Sequence, residues 1–239
     1  MAVLPEARRL GSWRSWLAGL AYAATLVLFV HSTKLTTSAN AIFLQATAPA
    51  YMLFFGPLLL KEKTQRLDVW VTLLLAAGMA LFFVGTENPL ATATNPALGN
   101  IYAALSGLAW ALSLAGLRWQ GQNNLAVVVA GNLLAFLFCL PGALPLPRAT
   151  AADVSVILYL GVIQIGLAYW LLTRGVRQVK AFEASLLLML EPVMNPVWTW
   201  LLHGERPSAW ALAGGGVILG GTLLRVWWES YSRPICDSR

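Results

Sequence analysis

The chain is built from apolar runs of bilayer-crossing length, each stopped by a short polar break. A spanning helix needs about 20 mostly apolar residues, set by a hydrocarbon core of about 30 Å and a rise of 1.5 Å per residue. Such runs fall near residues 16–33, 39–60, 69–86, 99–117, 125–144, 154–173, 181–202 and 209–226 of the 239-residue sequence. Backbone groups inside lipid must pair within their own segment, so runs of this kind read as helices. The expected fold class is an all-α polytopic membrane protein with eight transmembrane helices. Charged residues make up only 11% of the chain, far from the roughly 25% of a soluble domain, and the breaks leave no room for one.

The net charge of +6 would suggest nucleic acid in a soluble protein, but here the basic residues gather at helix ends. Assigning successive breaks to alternate sides puts Arg8, Arg9, Arg14, Lys61, Lys63, Arg66, Arg118, Arg174, Arg177, Lys180, Arg225, Arg233 and Arg239 on one side. Lys34, Arg148 and Arg206 take the other. The positive-inside rule then makes both termini cytoplasmic, and an odd change in helix number in mid-chain would scramble the sorting. Arg8, Arg9 and Arg14 before the first run resemble a leader, but the run is long for a cleaved one, and it reads as a retained first helix. Cys139 and Cys236 lie at different levels, which implies no disulfide, and no metal-ligand spacing occurs. Most tryptophans fall near helix ends, as interfacial belts require.

The stretch Ala184 to Trp210 carries the most information. Glu191 sits beside Pro192 inside an apolar run, where an ionised group costs at least about 2.5 to 3.5 kcal/mol and so faces a bundle interior or a watery cavity. The same stretch is echoed earlier. At an offset of 143, Asn40 meets Glu183, Ala41 meets Ala184, Leu44 meets Leu187, Pro49 meets Pro192 and Glu62 meets Glu205; Lys34 meets Arg177. Five crossings separate Glu62 from Glu205, so the repeats are inverted, the ground plan of many secondary transporters. The break at Glu87 to Gly99, rich in Pro, Thr and Asn, is the expected boundary between halves. Residues 1–87 form a first half of three helices, 88–98 an extracytoplasmic linker, 99–228 a second half of five, and 229–239 a cytoplasmic tail. The inverted repeat is thus an incomplete 3+5.

These residues are similar to those of EamA-type members of the drug/metabolite transporter superfamily. The resemblance rests on Ala184 to Leu190, Pro192, Gly204-Glu205-Arg206, Trp210 and Gly214 to Gly221 in the second half. Ala41, Pro49, Lys61-Glu62-Lys63 and Trp70 echo it in the first. It covers roughly residues 16–228. It implies two five-helix halves, of which the first two helices are lacking here, and transport of small metabolites, such as amino acids, or drugs, often outward across the inner membrane. A homodimer would cover the wall that the lacking helices leave exposed. The competing reading is a non-transporting membrane scaffold or an inactive transporter fragment. No His-Glu-x-x-His or nucleotide-binding Gly-x-x-x-x-Gly-Lys-Ser/Thr loop is present, so neither an enzyme nor a nucleotide-driven pump is expected, and no cofactor or metal is expected either.

Candidate lining residues follow from spacing. On the seventh run Ala184, Leu188, Glu191, Asn195 and Thr199 share a face, and Gln45 lies on the corresponding face of the second. Pro192 deprives the Leu188 carbonyl of its helical donor, as Pro49 does that of Gln45. Glu191 would contact a substrate amine or couple protons, or would be uncharged and bonded to a neighbouring helix. Gln45 would line a path or make an interhelical hydrogen bond. Asn195, one turn on, would orient Glu191. Tyr102, Ser106, Trp110 and Ser113 share a face that would stack on a flat or cationic substrate, or would pack with hydroxyls bonded back to the i−4 carbonyl. Gln164 and Tyr169, five apart, do not share an α-helical face and are separate candidates. His31 and His203 read as interfacial, Glu205 and Arg206 as a capping device, and the glycines of the eighth run as a close-packing surface.

Overall fold

The computed structural model describes residues 12–36, 38–81, 94–121, 124–144, 150–194, 201 and 209–232, and among them every regular element is helical. The elements are α1 (Trp13–Leu35), α2 (Ser38–Gln45), α3 (Ala48–Leu60), α4 (Arg66–Leu81), α5 (Pro96–Gln120), α6 (Asn124–Ala143), α7 (Ala151–Tyr159), a π-helical stretch (Leu160–Leu167), α8 (Ala168–Gly175), α9 (Ala181–Leu188) and α10 (Ala209–Ser232). A further short turn of helix covers 190–194. Five stretches are long and apolar enough to cross a membrane: Trp13–Leu35, Asn40–Leu60, Pro96–Gln120, Asn124–Ala143 and Ala151–Gly175. A shorter apolar helix runs over Leu212–Trp228. Asn195, Thr199, His203, Glu205, Arg206, Cys236 and most of the 88–98 linker lie outside the described residues. Cys139 is a free, exposed thiol.

Close packing in a membrane comes from small residues, because lipid gives apolar side chains no reason to leave it. Gly19 of α1 and Gly131 of α6 face one another so closely that a Cβ on Gly19 would sit 2.9 Å from Ala130. Gly116 of α5 abuts Ala18. Around these contacts Tyr22, Leu117, Val127 and Val128 are fully buried. The larger core joins Met52, Val71, Leu114, Leu186 and Ile218 from α3, α4, α5, α9 and α10. In α10 only part of the expected glycine surface is used. Gly78 of α4 packs against the Gly214 carbonyl and Gly221 meets Leu74, but a Cβ at Gly216 or Gly220 would meet nothing within 4 Å among the described residues.

Two of the expected long helices are interrupted. The second is broken at Ala46–Thr47 between α2 and α3, where the Thr47 hydroxyl donates to the Leu44 carbonyl at 2.6 Å. The seventh is broken at Met189, between α9 and the short helix over 190–194. Each break lies just before a proline, Pro49 or Pro192, whose missing N–H leaves a carbonyl of the preceding turn without its helical partner.

Polar contacts define the two ends of the bundle. At one end the Glu62 carboxylate accepts from Arg118 Nε at 3.1 Å and from the Ala181 amide at 2.9 Å. Arg118 also donates to the Val176 and Arg177 carbonyls at 3.2 and 2.8 Å, and Arg177 donates to Asn124 at 2.8 Å. Asp68 and Arg225, each nearly fully buried, form an ion pair at 2.5 Å. Lys63 and Lys180 border the same small recess as Glu62, Asp68 and Arg225. Arg14 stacks over Trp119, next to Arg118. At the opposite end Thr94 donates to the Lys34 carbonyl, and Thr36 bonds Asn100. The described basic residues thus divide between the ends as the alternate-break sorting anticipates.

Candidate functional site

Between the two breaks lies a cavity of two adjoining lobes, about 840 and 440 Å³ in volume. Phe29, Gln45, Trp110, Gln164, Leu188 and Glu191 border both lobes. Drug-sized ligands occupy pockets of roughly 300 to 1,000 Å³. The larger lobe takes Ile42, Gln45, Ala46, Ala48 and Pro49 from one interrupted segment and Ser185, Leu188, Met189, Glu191 and Pro192 from the other. Each of these pairs is 143 residues apart. In the smaller lobe Thr25, Leu26 and Phe29 of α1 are matched at the same offset by Ala168, Tyr169 and Leu172 of α8.

Glu191 follows the second break, and its side chain is exposed to the cavity rather than packed away. It makes no hydrogen bond or ion pair with a described residue, so the alternative of a Glu bonded to a neighbouring helix has no partner among them. Gln45 does both things that its position allows: it lines both lobes and donates through Nε2 to Ser106 Oγ at 3.2 Å. Ser106 is fully buried behind it, on the rear of the wall. Gly107, next along α5, lets that helix close on the α2–α3 break: a Cβ there would lie 2.8 Å from the Leu44 carbonyl oxygen and 3.0 Å from that of Gln45.

Trp110 lines both lobes and meets Tyr169 edge to face, ring centroids 6.3 Å apart. Tyr169 is held from the other side by Tyr22 at 4.8 Å in a second edge-to-face contact. Tyr102 and Ser113, expected on the same face as Trp110, border neither lobe. Ser113 is fully buried, donates to the Ala109 carbonyl at 2.8 Å and meets the Thr25 hydroxyl at 3.3 Å, which is the packing role rather than the lining one.

Gln164 and Tyr169 come together despite their spacing. The Leu160–Leu167 stretch is π-helical, and its wider i→i+5 turn brings residues five apart nearer to one face than 3.6 residues per turn would. Tyr159 and Gln164 thus border the larger lobe, and Gln164 and Tyr169 the smaller, as a stripe that runs across the π-helical stretch. Tyr159 had no signal in an α-helical reading, and neither did Phe29 or Thr25 on α1. Ser185 would have followed from treating Met189 as a break and shifting the face by one residue. Among the described residues no group of three or more His, Cys, Asp or Glu side chains could hold a metal ion.

Comparison with known proteins agrees with this architecture. The model of the EamA-like transporter family matches residues 2–84 and 97–227. The chain belongs to the EamA-like transporter family. It is a multi-pass membrane protein of a family of transporters. It is 25% identical over 208 residues to the pseudopaline exporter CntI of Pseudomonas aeruginosa strain UCBPP-PA14, covering 84% of this chain and 70% of that one. It is 26% identical over 211 residues to the uncharacterized transporter YetK of Bacillus subtilis, covering 84% and 63%. A match to the uncharacterized transporter YdfC of Bacillus subtilis is 33% identical over 100 residues, 40% of this chain and 33% of that protein. The chain thus spans between a third and 70% of the length of these curated relatives. A solved crystal structure superposes with a TM-score of 0.77 over 96% of this chain and 81% of its own, at 17% identity, and so shares the fold.

Proposed function

We propose that this EamA-family chain is a secondary transporter that carries small metabolites or drugs outward across the inner membrane by alternating access, with both termini cytoplasmic. The observation that carries this reading is the matched lining: two proline-interrupted segments, 143 residues apart, give the same five positions to one cavity. Two similar half-sites of opposite orientation give inward-open and outward-open states of similar energy around one site. An incomplete 3+5 inverted repeat, with residues 1–87 and 99–228 as its halves, accounts for that pairing.

The same arrangement supports a conformational state. The basic end is closed by Glu62, Arg118 and Arg177, whereas the lining from α1, α2 and α9 lies toward the Lys34 end. With the basic end cytoplasmic, this is an outward-facing form. Glu191, Gln45, Trp110, Gln164 and Tyr169 would contact substrate. Ser106 would position Gln45; Ser113 and Tyr102 would support the wall, and Asn195 would follow Glu191 by one turn.

The test is export from cells. A panel of amino acids and cationic drugs is loaded into cells carrying the chain, its Glu191→Gln variant or its Trp110→Ala variant. Faster efflux of at least one compound with the unaltered chain, and at least tenfold less with either variant, is the expected result. Equal efflux from all three, with equal protein in the membrane, would refute the site; efflux no faster than from cells lacking the chain would refute transport.

A further inference from the structure

We infer that the cavity takes an organic monocation with a flat, apolar body, one positive charge facing Glu191 and rings against Trp110 and Tyr169. The inference rests on the transporter reading for what happens after binding, but its own observations concern charge and shape. Among the described residues Glu191 is the sole carboxylate at the cavity, and no Lys, Arg or His borders either lobe. Of the described basic residues, Arg118 and Arg225 are paired at the closed end, with Glu62 and Asp68. An ionised group at such depth is normally paired, and a ligand cation is the partner that this wall lacks.

The remaining lining fits the rest of such a molecule. Phe29, Trp110, Tyr159 and Tyr169 supply ring surface to the cavity. The edge-to-face chain from Tyr22 through Tyr169 to Trp110 fixes two of those rings before a ligand arrives, so little ordering entropy is lost on binding. Ring faces attract cations and stack on flat apolar groups. Gln45 and Gln164 offer neutral donors and acceptors and leave the charge preference to Glu191. A ligand rich in carboxylates would bring ionised groups to a wall with no cation and an acid already present, and would be repelled.

Three probes with one ring system separate charge from shape: tryptamine (cation), tryptophol (neutral) and indole-3-acetate (anion). Radiolabelled binding to the full chain in lipid nanodiscs and uptake into proteoliposomes are measured side by side. Tryptamine is expected to bind at least tenfold more tightly than either analogue. Glu191→Gln should weaken tryptamine at least tenfold and leave tryptophol within threefold, whereas Trp110→Ala should weaken both. Tighter binding of indole-3-acetate, indifference of tryptamine to Glu191→Gln, or no binding of any probe to monodisperse protein would overturn the inference. Tryptamine that binds with these dependences but is not carried would sink the transporter reading and leave the site standing. Carriage of indole-3-acetate in preference to tryptamine would do the reverse.

Discussion

Gly107 shows how one residue can set the contact behind a cavity wall. Its missing side chain lets α5 lie against the exposed carbonyls of Leu44 and Gln45, where α2 stops and α3 has not begun. Gln45 is aimed from that break into the cavity and steadied by Ser106. Gly107→Ala must push backbone rather than a flexible side chain, so it should cost about 1 to 3 kcal/mol, as overpacking does. It should also weaken tryptamine binding by displacing Gln45. Gly216→Ala and Gly220→Ala make the opposite case, since among the described residues nothing lies within 4 Å of the added Cβ at either. Replacing a helical glycine by alanine at an open position gains roughly 0.5 to 1 kcal/mol. Thermal melts in detergent should therefore show Gly107→Ala lowering Tm and the other two holding or raising it; a uniform drop would mean that α10 packs where none is described. Lys61 offers a third such position. It ends α3 at φ 58°, ψ 24°, a left-handed conformation that costs a non-glycine residue about 1 kcal/mol.

At the scale of elements, two devices matter: the π stretch and the α4–α10 ion pair. The stripe Tyr159, Gln164, Tyr169 runs across Leu160–Leu167, which bonds i→i+5 and so draws residues five apart toward one face. Deleting Ile163 would let the segment return to α-helical bonding and turn Tyr159 away from Tyr169. The expected outcome is an unchanged far-ultraviolet helix signal with at least tenfold weaker tryptamine binding; retained binding would mean that the stripe is incidental. Asp68 and Arg225 are both nearly fully buried. Removing one partner takes the ion-pair partner from a buried charge, so Asp68→Asn should cost about 3 to 5 kcal/mol. Asp68→Leu together with Arg225→Met should cost far less, because two apolar side chains of similar size need no pairing. Tm in detergent separates the two cases. The apolar helices and the carbonyls freed by Pro49 and Pro192 were legible from local chemistry, run length and a missing N–H; the breaks at Ala46–Thr47 and Met189 were not. Glu191, Gln45 and Trp110 were legible as cavity residues for the same reason. Tyr159 and the pairing of Gln164 with Tyr169 were not, because the spacing argument assumed 3.6 residues per turn where the backbone departs from it. Ser113 stayed open between lining and packing for a different reason. A face that is polar at every fourth residue says nothing of which end of it meets another helix, and α1 covers Ser113 through Thr25.

At the scale of the whole molecule the question is which end opens. Glu62 ties the end of α3 to Arg118 of α5 and to the first amide of α9, and Arg118 holds the carbonyls that follow α8. The anion lies at a helix N-terminus and the cation at a helix C-terminus, each favoured by the local dipole. Four elements are therefore drawn together by two side chains, and the opposite end has no equivalent knot among the described residues. Charge-assisted hydrogen bonds of this kind contribute about 1.5 to 3 kcal/mol each. Loosening one should change the ratio of the two access states by roughly 10- to 100-fold, since 1.4 kcal/mol is a factor of ten. Ser185→Cys, in a chain with Cys139 and Cys236 replaced by Ser, puts a reporter thiol on the cavity wall. A membrane-impermeant maleimide should label it in intact cells and only slowly in inverted vesicles. Adding Glu62→Gln should reverse that preference, because the basic end can then part while the two half-sites keep their residues. If Glu62→Gln leaves both rates unchanged in a protein that still folds and reaches the membrane, the knot is scaffolding, and the closing surface must be sought elsewhere along the cavity.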